Sequence, residues 1–145
     1  MAEHAEGTTE VVATPSEVMA VVADFEAYPD WVANLEEVEV LARDRRGRGS
    51  RVAFRLGTPW GEQAYTLAYR YQPSDAGMSW TYVEGTLEDL AGSYALEPTD
   101  DGTTRVTYRL EVALGMPIPS FLVRQAAKQI VRSALGDLKR RAESM

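Results

Sequence analysis

TPSEVMAVVADFEAYPDWVANLEEVEVL, residues 14–41, decides the fold of this chain, because it encodes a capped helix, an aromatic-proline break and a strand with no linker between them. Thr14 stands at an N-cap, Pro15 suits the first helical position, and Glu17 is placed where a capping-box carboxylate reaches back to the cap's backbone N–H. Val18, Val21 and Val22 then form one apolar stripe. The run Phe25 to Val32 stops the helix ahead of Pro29 and gathers Phe25, Tyr28 and Trp31 within seven positions. That aromatic cluster is expected to form the lip of a pocket.

Downstream of this stretch the chain alternates apolar and polar residues between turn signals, the pattern of an antiparallel sheet. The expected strands are Glu36–Arg43, Ser50–Leu56, Glu62–Gln72, Met78–Glu84, Glu88–Glu97 and Thr103–Leu114. Arg-Gly-Arg-Gly (46–49), Thr-Pro-Trp-Gly (58–61), Pro73–Gly77 and Asp101-Gly102 punctuate them with turn chemistry. A strand over about Ala5–Ala13 precedes the helix and brings the total to seven. After Pro117 and Pro119, apolar residues recur at helical spacing from Phe121 to Leu138. This predicts one helix of about 25 residues, roughly 37 Å long at 1.5 Å per residue. Gly136 is its weak point, and Arg124, Lys128 and Arg132 fall mostly off its apolar stripe, as a solvated face would.

Composition narrows the function classes. The chain has 145 residues, 45% of them hydrophobic and 26% charged, which fits one domain over 1–145 with a sizeable core. It has no cysteine, so disulfides, thiolate catalysis and cysteine-zinc sites are ruled out. A net charge of −7 and a pI near 4.8 argue against nucleic-acid binding. The arginines at 43, 45, 46, 48 and 51 form a basic run, read as a solvated hairpin loop, with an anionic partner as the alternative. Met1–Thr9 is polar and acidic, unlike a signal peptide, and no apolar run reaches the roughly 20 residues that span a bilayer. A cytoplasmic location without stable membrane insertion is expected, as a monomer or homodimer.

The order strand, short helix, break, six strands and long C-terminal helix resembles the START-like superfamily, or SRPBCC. Within it the chain is similar to the polyketide cyclase/dehydrase and coenzyme-Q-binding-like group. The matching residues are Ala13–Val18, Asp24–Val32, Glu37–Leu41, Ser79-Trp80, Gly92–Tyr94 and Gly102–Tyr108. The resemblance implies an α+β helix-grip fold: a seven-stranded bent antiparallel sheet wrapped around the last helix, with a cavity between them.

Alternation supplies what would line such a cavity. One face of the sheet carries Phe54, Tyr65, Tyr69, Tyr71, Trp80, Tyr82, Tyr94 and Tyr108 among Leu, Val and Met, and shared strand parity adds Glu84. Tyr and Trp pair an apolar body with a polar handle, so this face reads either as a ligand pocket or as a filled core with hydroxyls at its rim. With Tyr28 and Trp31 at the lip, these are the expected ligand-binding residues. Glu84 is the one carboxylate placed to face the cavity; Glu88, Asp89 and Glu97 are read as surface charges. No catalytic residue, metal site or cofactor is assigned. His4 is the only histidine and lies in the approach to the first strand, so nucleophile–histidine systems have no base.

Cyclases of the resembling family fold a poly-β-ketone chain in the cavity and use pocket Arg, Tyr and Trp residues to orient it and stabilise enolates. Here Tyr71 holds the position of that inward arginine, and Arg70 has the opposite parity. A binding or carrier function for a lipid-like or polycyclic, polyketide-like molecule is therefore expected. A polyketide aromatase/cyclase or dehydratase, a polyprenyl-quinone chaperone and an interaction module with a filled core are the alternatives. Trp60 at a hairpin tip is a potential lid, and Gly115–Pro119 a potential hinge.

Overall fold

The computed structural model describes residues 2–58 and 61–144. Seven strands make one antiparallel sheet: β1 (Glu3–Val11), β2 (Leu35–Arg43), β3 (Gly49–Thr58), β4 (Gly61–Tyr71), β5 (Gly77–Gly85), β6 (Asp89–Pro98) and β7 (Thr104–Ala113). Their spatial order is β1-β7-β6-β5-β4-β3-β2. Helix α1 (Pro15–Val22) and a 3₁₀ turn (Phe25–Asp30) link β1 to β2, and helix α2 (Ser120–Glu143) ends the chain. Each strand falls within two residues of its expected bounds, and the architecture is the α+β helix-grip arrangement. The loop tip with Trp60 lies outside the described residues.

The 14–41 stretch folds as its residues dictate. Thr14 Oγ1 accepts from the Glu17 N–H at 3.2 Å, and the Thr14 N–H donates to Glu17 Oε1 at 2.9 Å, a reciprocal capping box. Val18, Val21 and Val22 are buried. Phe25 inserts beneath β3, where the missing side chain of Gly49 makes room: a Cβ there would meet the Phe25 ring at 2.8 Å. Thr14→Ala is expected to cost about 1 kcal/mol, read from urea unfolding at neutral pH. The backbone and side-chain hydrogen bonds from Thr14 hold the Glu17 carboxyl below its usual value. That contribution is present above the unfolded-chain value and is lost as pH falls through the lower folded one, so the wild-type advantage should shrink in acid.

Helix α2 packs on β1 and β7 and touches α1. Gly7 of β1 permits the close approach, since a Cβ there would lie 2.9 Å from Val131 and 3.0 Å from Leu135. Strands β3 to β6 stand further from the helix, and aromatic side chains fill the intervening space. Among the described residues, no helix is long and apolar enough to cross a membrane. His4 lies inside β1, opposite Glu111 of β7, rather than in a loose approach to it.

Candidate functional site

The sheet's inner face assembles the expected aromatics into one contiguous chain of rings. Phe25 stacks on Tyr69 at 4.6 Å between centroids, Tyr69 on Trp80 at 5.7 Å, and Trp80 on both Tyr94 and Tyr108 at 5.5 and 5.6 Å. Tyr94 and Tyr108 lie 4.8 Å apart. Phe54 and Tyr65 continue the chain toward β3, and Tyr28 and Trp31 toward the 3₁₀ turn. Gly92 seats the Trp80 ring, because a Cβ there would come within 2.5 Å of the indole.

The hydroxyl groups divide these tyrosines into two kinds, a distinction alternation does not reveal. The Tyr28 hydroxyl donates to the Val22 carbonyl at 2.5 Å, Tyr71 to Gly49 at 2.7 Å and Tyr82 to Leu87 at 2.8 Å. These three brace the fold. Tyr71 also carries the Arg48 guanidinium over its ring at 4.0 Å, and burial pushes its hydroxyl up to about 12 against the pull of that cation. Tyr65, Tyr69, Tyr94 and Tyr108 have no hydrogen-bond partner among the described residues.

Those four hydroxyls lie along the ring chain without a hydrogen bond to any described residue. Among the described residues the one side-chain nitrogen or oxygen that is both sealed from water-sized space and unpaired is Arg55 Nε, so the tyrosine oxygens are unpaired without being sealed. Tyr65 is half-buried by surface area, although protein surrounds its hydroxyl deeply enough to shift it. Burial raises the hydroxyl pKa of all four, and of Tyr28, far above the usual phenol value. For all of these except Tyr65, repulsion between neighbouring phenolates adds to the rise, which places the oxygens near one another. Asp137 of α2 adds to the rise at Tyr94, and Asp24 to that at Tyr28.

This arrangement has a consequence in alkali. A phenol in the unfolded chain ionises near pH 10. With folded values raised, stability is intact below that pH and is lost as pH climbs from there toward the folded values. Tyrosinate absorbance and circular dichroism followed together should change in one steep transition. Gradual ionisation of every tyrosine near pH 10 with the dichroism intact would contradict the buried cluster.

Glu84 departs from its expected place. Tyr82 pairs with Leu67, but Glu84 pairs with Thr66, so Val83 is an extra residue bulging out of β5. The bulge reverses the parity, setting Glu84 on the outer face with Thr66, and Glu84 is exposed. It is not a cavity carboxylate. Arg70 is exposed, as its parity requires. The basic loop turns on Asp44, whose carboxylate accepts from the Arg46 and Arg48 N–H groups, while Arg43 pairs with Glu26 at 2.7 Å.

Grooves on the outer surface of the described residues lie apart from most of the ring chain. One of about 600 Å³ runs between β1 and α2. Another, about 420 Å³, is lined by Asp30, Trp31, Asp137, Arg140, Arg141 and Ser144. Trp31 and Asp137 make the second groove adjoin the rings, since Trp31 stacks on Tyr28 at 5.0 Å and Asp137 acts on Tyr94.

Residues 11–139 match the family model described as polyketide cyclase / dehydrase and lipid transport, and the chain belongs to that family. Among solved structures it is similar to a START superfamily protein from Mycobacterium smegmatis, with a TM-score of 0.89 and 22% identity over 97% of each chain. The Zhui aromatase/cyclase from Streptomyces sp. R1128 superposes with a TM-score of 0.82 at 17% identity, over 99% of this chain and 94% of that one. A STAR-related lipid transfer protein fragment from Xanthomonas axonopodis gives 0.75 at 19%, over 96% and 85%. At these identities the likeness establishes the START-like fold alone. No curated protein matches the chain in sequence.

Proposed function

We propose that the protein is a carrier that encloses an uncharged, oxygen-bearing hydrophobic molecule, polycyclic or lipid-like, between its sheet and α2. The observation that carries this reading is the set of four unpaired hydroxyls on Tyr65, Tyr69, Tyr94 and Tyr108, gathered among apolar rings. A ligand carbonyl or hydroxyl that accepts from such a donor makes a hydrogen bond worth about 0.5–1.5 kcal/mol net. The rings supply the rest: a ligand burying roughly 300 Å² of apolar surface gains on the order of 7 kcal/mol before ordering costs. The family's lipid-transport members and the lipid-transfer neighbour support the same reading.

Chemistry on the ligand is disfavoured by charge. Cyclisation of a polyketide develops an enolate; the tyrosine hydroxyls can donate to it, but among the described residues a full positive charge to stabilise it is missing beside them. Arg70 faces outward, and Arg48 lies over the Tyr71 ring, whose hydroxyl is committed to Gly49. Entry is assigned to the groove beside Trp31, which abuts the ring chain through Tyr28 and Tyr94.

Native mass spectrometry of freshly purified protein tests the proposal. A co-purifying hydrophobic mass, or stoichiometric uptake of a dihydroxyanthraquinone or a fluorescent fatty-acyl probe, is expected. A clean apo mass with no uptake of either probe would remove it, and conversion of a linear polyketide mimic to cyclised product would replace it with the enzyme.

A further inference from the structure

The outer edge of β1 is open along part of its length and blocked along the rest. At its far end Lys139 Nζ donates to the Glu10 carbonyl at 2.6 Å, and the Val12 N–H donates to Glu143 at 2.8 Å. Alternate residues of a strand direct both backbone groups to the same edge, so Glu10 and Val12 identify the even-numbered residues as the outward ones. The N–H and C=O groups of His4, Glu6 and Thr8 therefore point away from β7. The groove of about 600 Å³ lies along this open length, with Val131, Leu135 and Gly136 of α2 as its floor.

Two more features set the character of this groove. Of the other cations of α2, Arg124 is matched with Glu3, Lys139 with Glu143 and Arg140 with Asp137, and Arg141, at the far end of the helix, lies away from the groove. Lys128 and Arg132 have no carboxylate partner among the described residues, and both line the groove. Glu6 does not offset them, since Arg109 holds its carboxylate at 2.5 Å. Gly136 costs the helix about 1 kcal/mol relative to alanine. The protein's own packing does not require it, because the nearest atom to a Cβ there is the Arg140 guanidinium at 3.6 Å.

We infer that this groove binds an extended acidic peptide segment, which adds a strand to β1 through His4, Glu6 and Thr8. Its α2-facing side chains, every second residue, are apolar where they lie over Val131, Leu135 and Gly136 and acidic where they meet Lys128 and Arg132. This is strand addition with charge selection, and it is independent of any ligand between sheet and helix. Antiparallel two-fold pairing of two β1 edges would set both α2 helices on one face, where packed helices need about 8–10 Å between them; sedimentation separates that arrangement from peptide binding.

Fluorescence anisotropy tests this with a labelled peptide whose α2-facing positions carry both Val and Glu, separated by Thr at the positions between. Saturable binding is expected, weaker by about tenfold or more for the Val–Lys counterpart, for the same acidic peptide with alternate amides N-methylated, and for the Lys128→Glu/Arg132→Glu protein. Thr8→Pro removes one outward N–H without touching the β7 ladder and should weaken binding similarly. Circular dichroism checks that both variants are folded. The inference is overturned by absence of binding to the wild type, by equal affinity for the N-methylated peptide, or by indifference to the charge reversal. A dimer in sedimentation that Thr8→Pro dissociates would overturn it in favour of a second copy.

Discussion

Phe25→Ala is expected to cost about 3–5 kcal/mol, the range for truncating a buried aromatic. At about 3 °C per kcal/mol for a chain of this size, the melting temperature should fall by roughly 9–15 °C. Phe25 is only 2% exposed, and its ring touches Tyr28, Phe54 and Tyr69 while filling the hollow over Gly49. Truncation therefore opens a void where the 3₁₀ turn, β3 and β4 meet. Gly49 cannot close it, having no side chain to swing inward. Phe25→Leu keeps most of the volume and should cost less than about 2 kcal/mol. Equal losses for the two variants in thermal unfolding would show that Phe25 is not the anchor of this corner.

Replacing Tyr69, Tyr94 and Tyr108 together by Phe should separate stability from binding. Each hydroxyl makes no hydrogen bond to the described residues, so removing it costs the fold no bond and leaves the rings in place. The free triple variant should be as stable as the wild type or more so. If each hydroxyl donates one hydrogen bond worth about 1–1.5 kcal/mol to a ligand oxygen, affinity for a dihydroxyanthraquinone probe should fall roughly tenfold per hydroxyl, to about a thousandfold. Calorimetric titration measures this. A loss of stability with unchanged affinity would assign the hydroxyls to the fold. Tyr82→Phe is the contrast, since its hydroxyl holds the Leu87 carbonyl and its loss should destabilise.

Much of this molecule is legible in its sequence because the signals are local. Thr14, Pro15 and Glu17 cap a helix through contacts three residues apart, and period-two runs such as Val106, Tyr108, Leu110 and Val112 declare a buried strand face without reference to partners. Glu84 shows where such reasoning stops. Parity carries across a strand only while the ladder is regular, and the extra residue at Val83 depends on pairing with β4, which the β5 sequence alone does not encode. The two kinds of tyrosine are hidden for a related reason. Tyr71 and Tyr94 look alike in sequence, but one meets a backbone carbonyl from β3 and the other meets none. The open edge of β1 escapes for a third: it depends on where Lys139 and Glu143, more than a hundred residues later, come to rest.

The ring chain gives the protein an optical property. Trp80 lies within 5.7 Å of Tyr69, Tyr94 and Tyr108, so light absorbed by the phenols passes efficiently to the indole, whose emission responds to the polarity around it. A molecule seated against those three tyrosines also lies beside the indole. Its arrival should be visible as a change in the protein's own fluorescence, with no label attached.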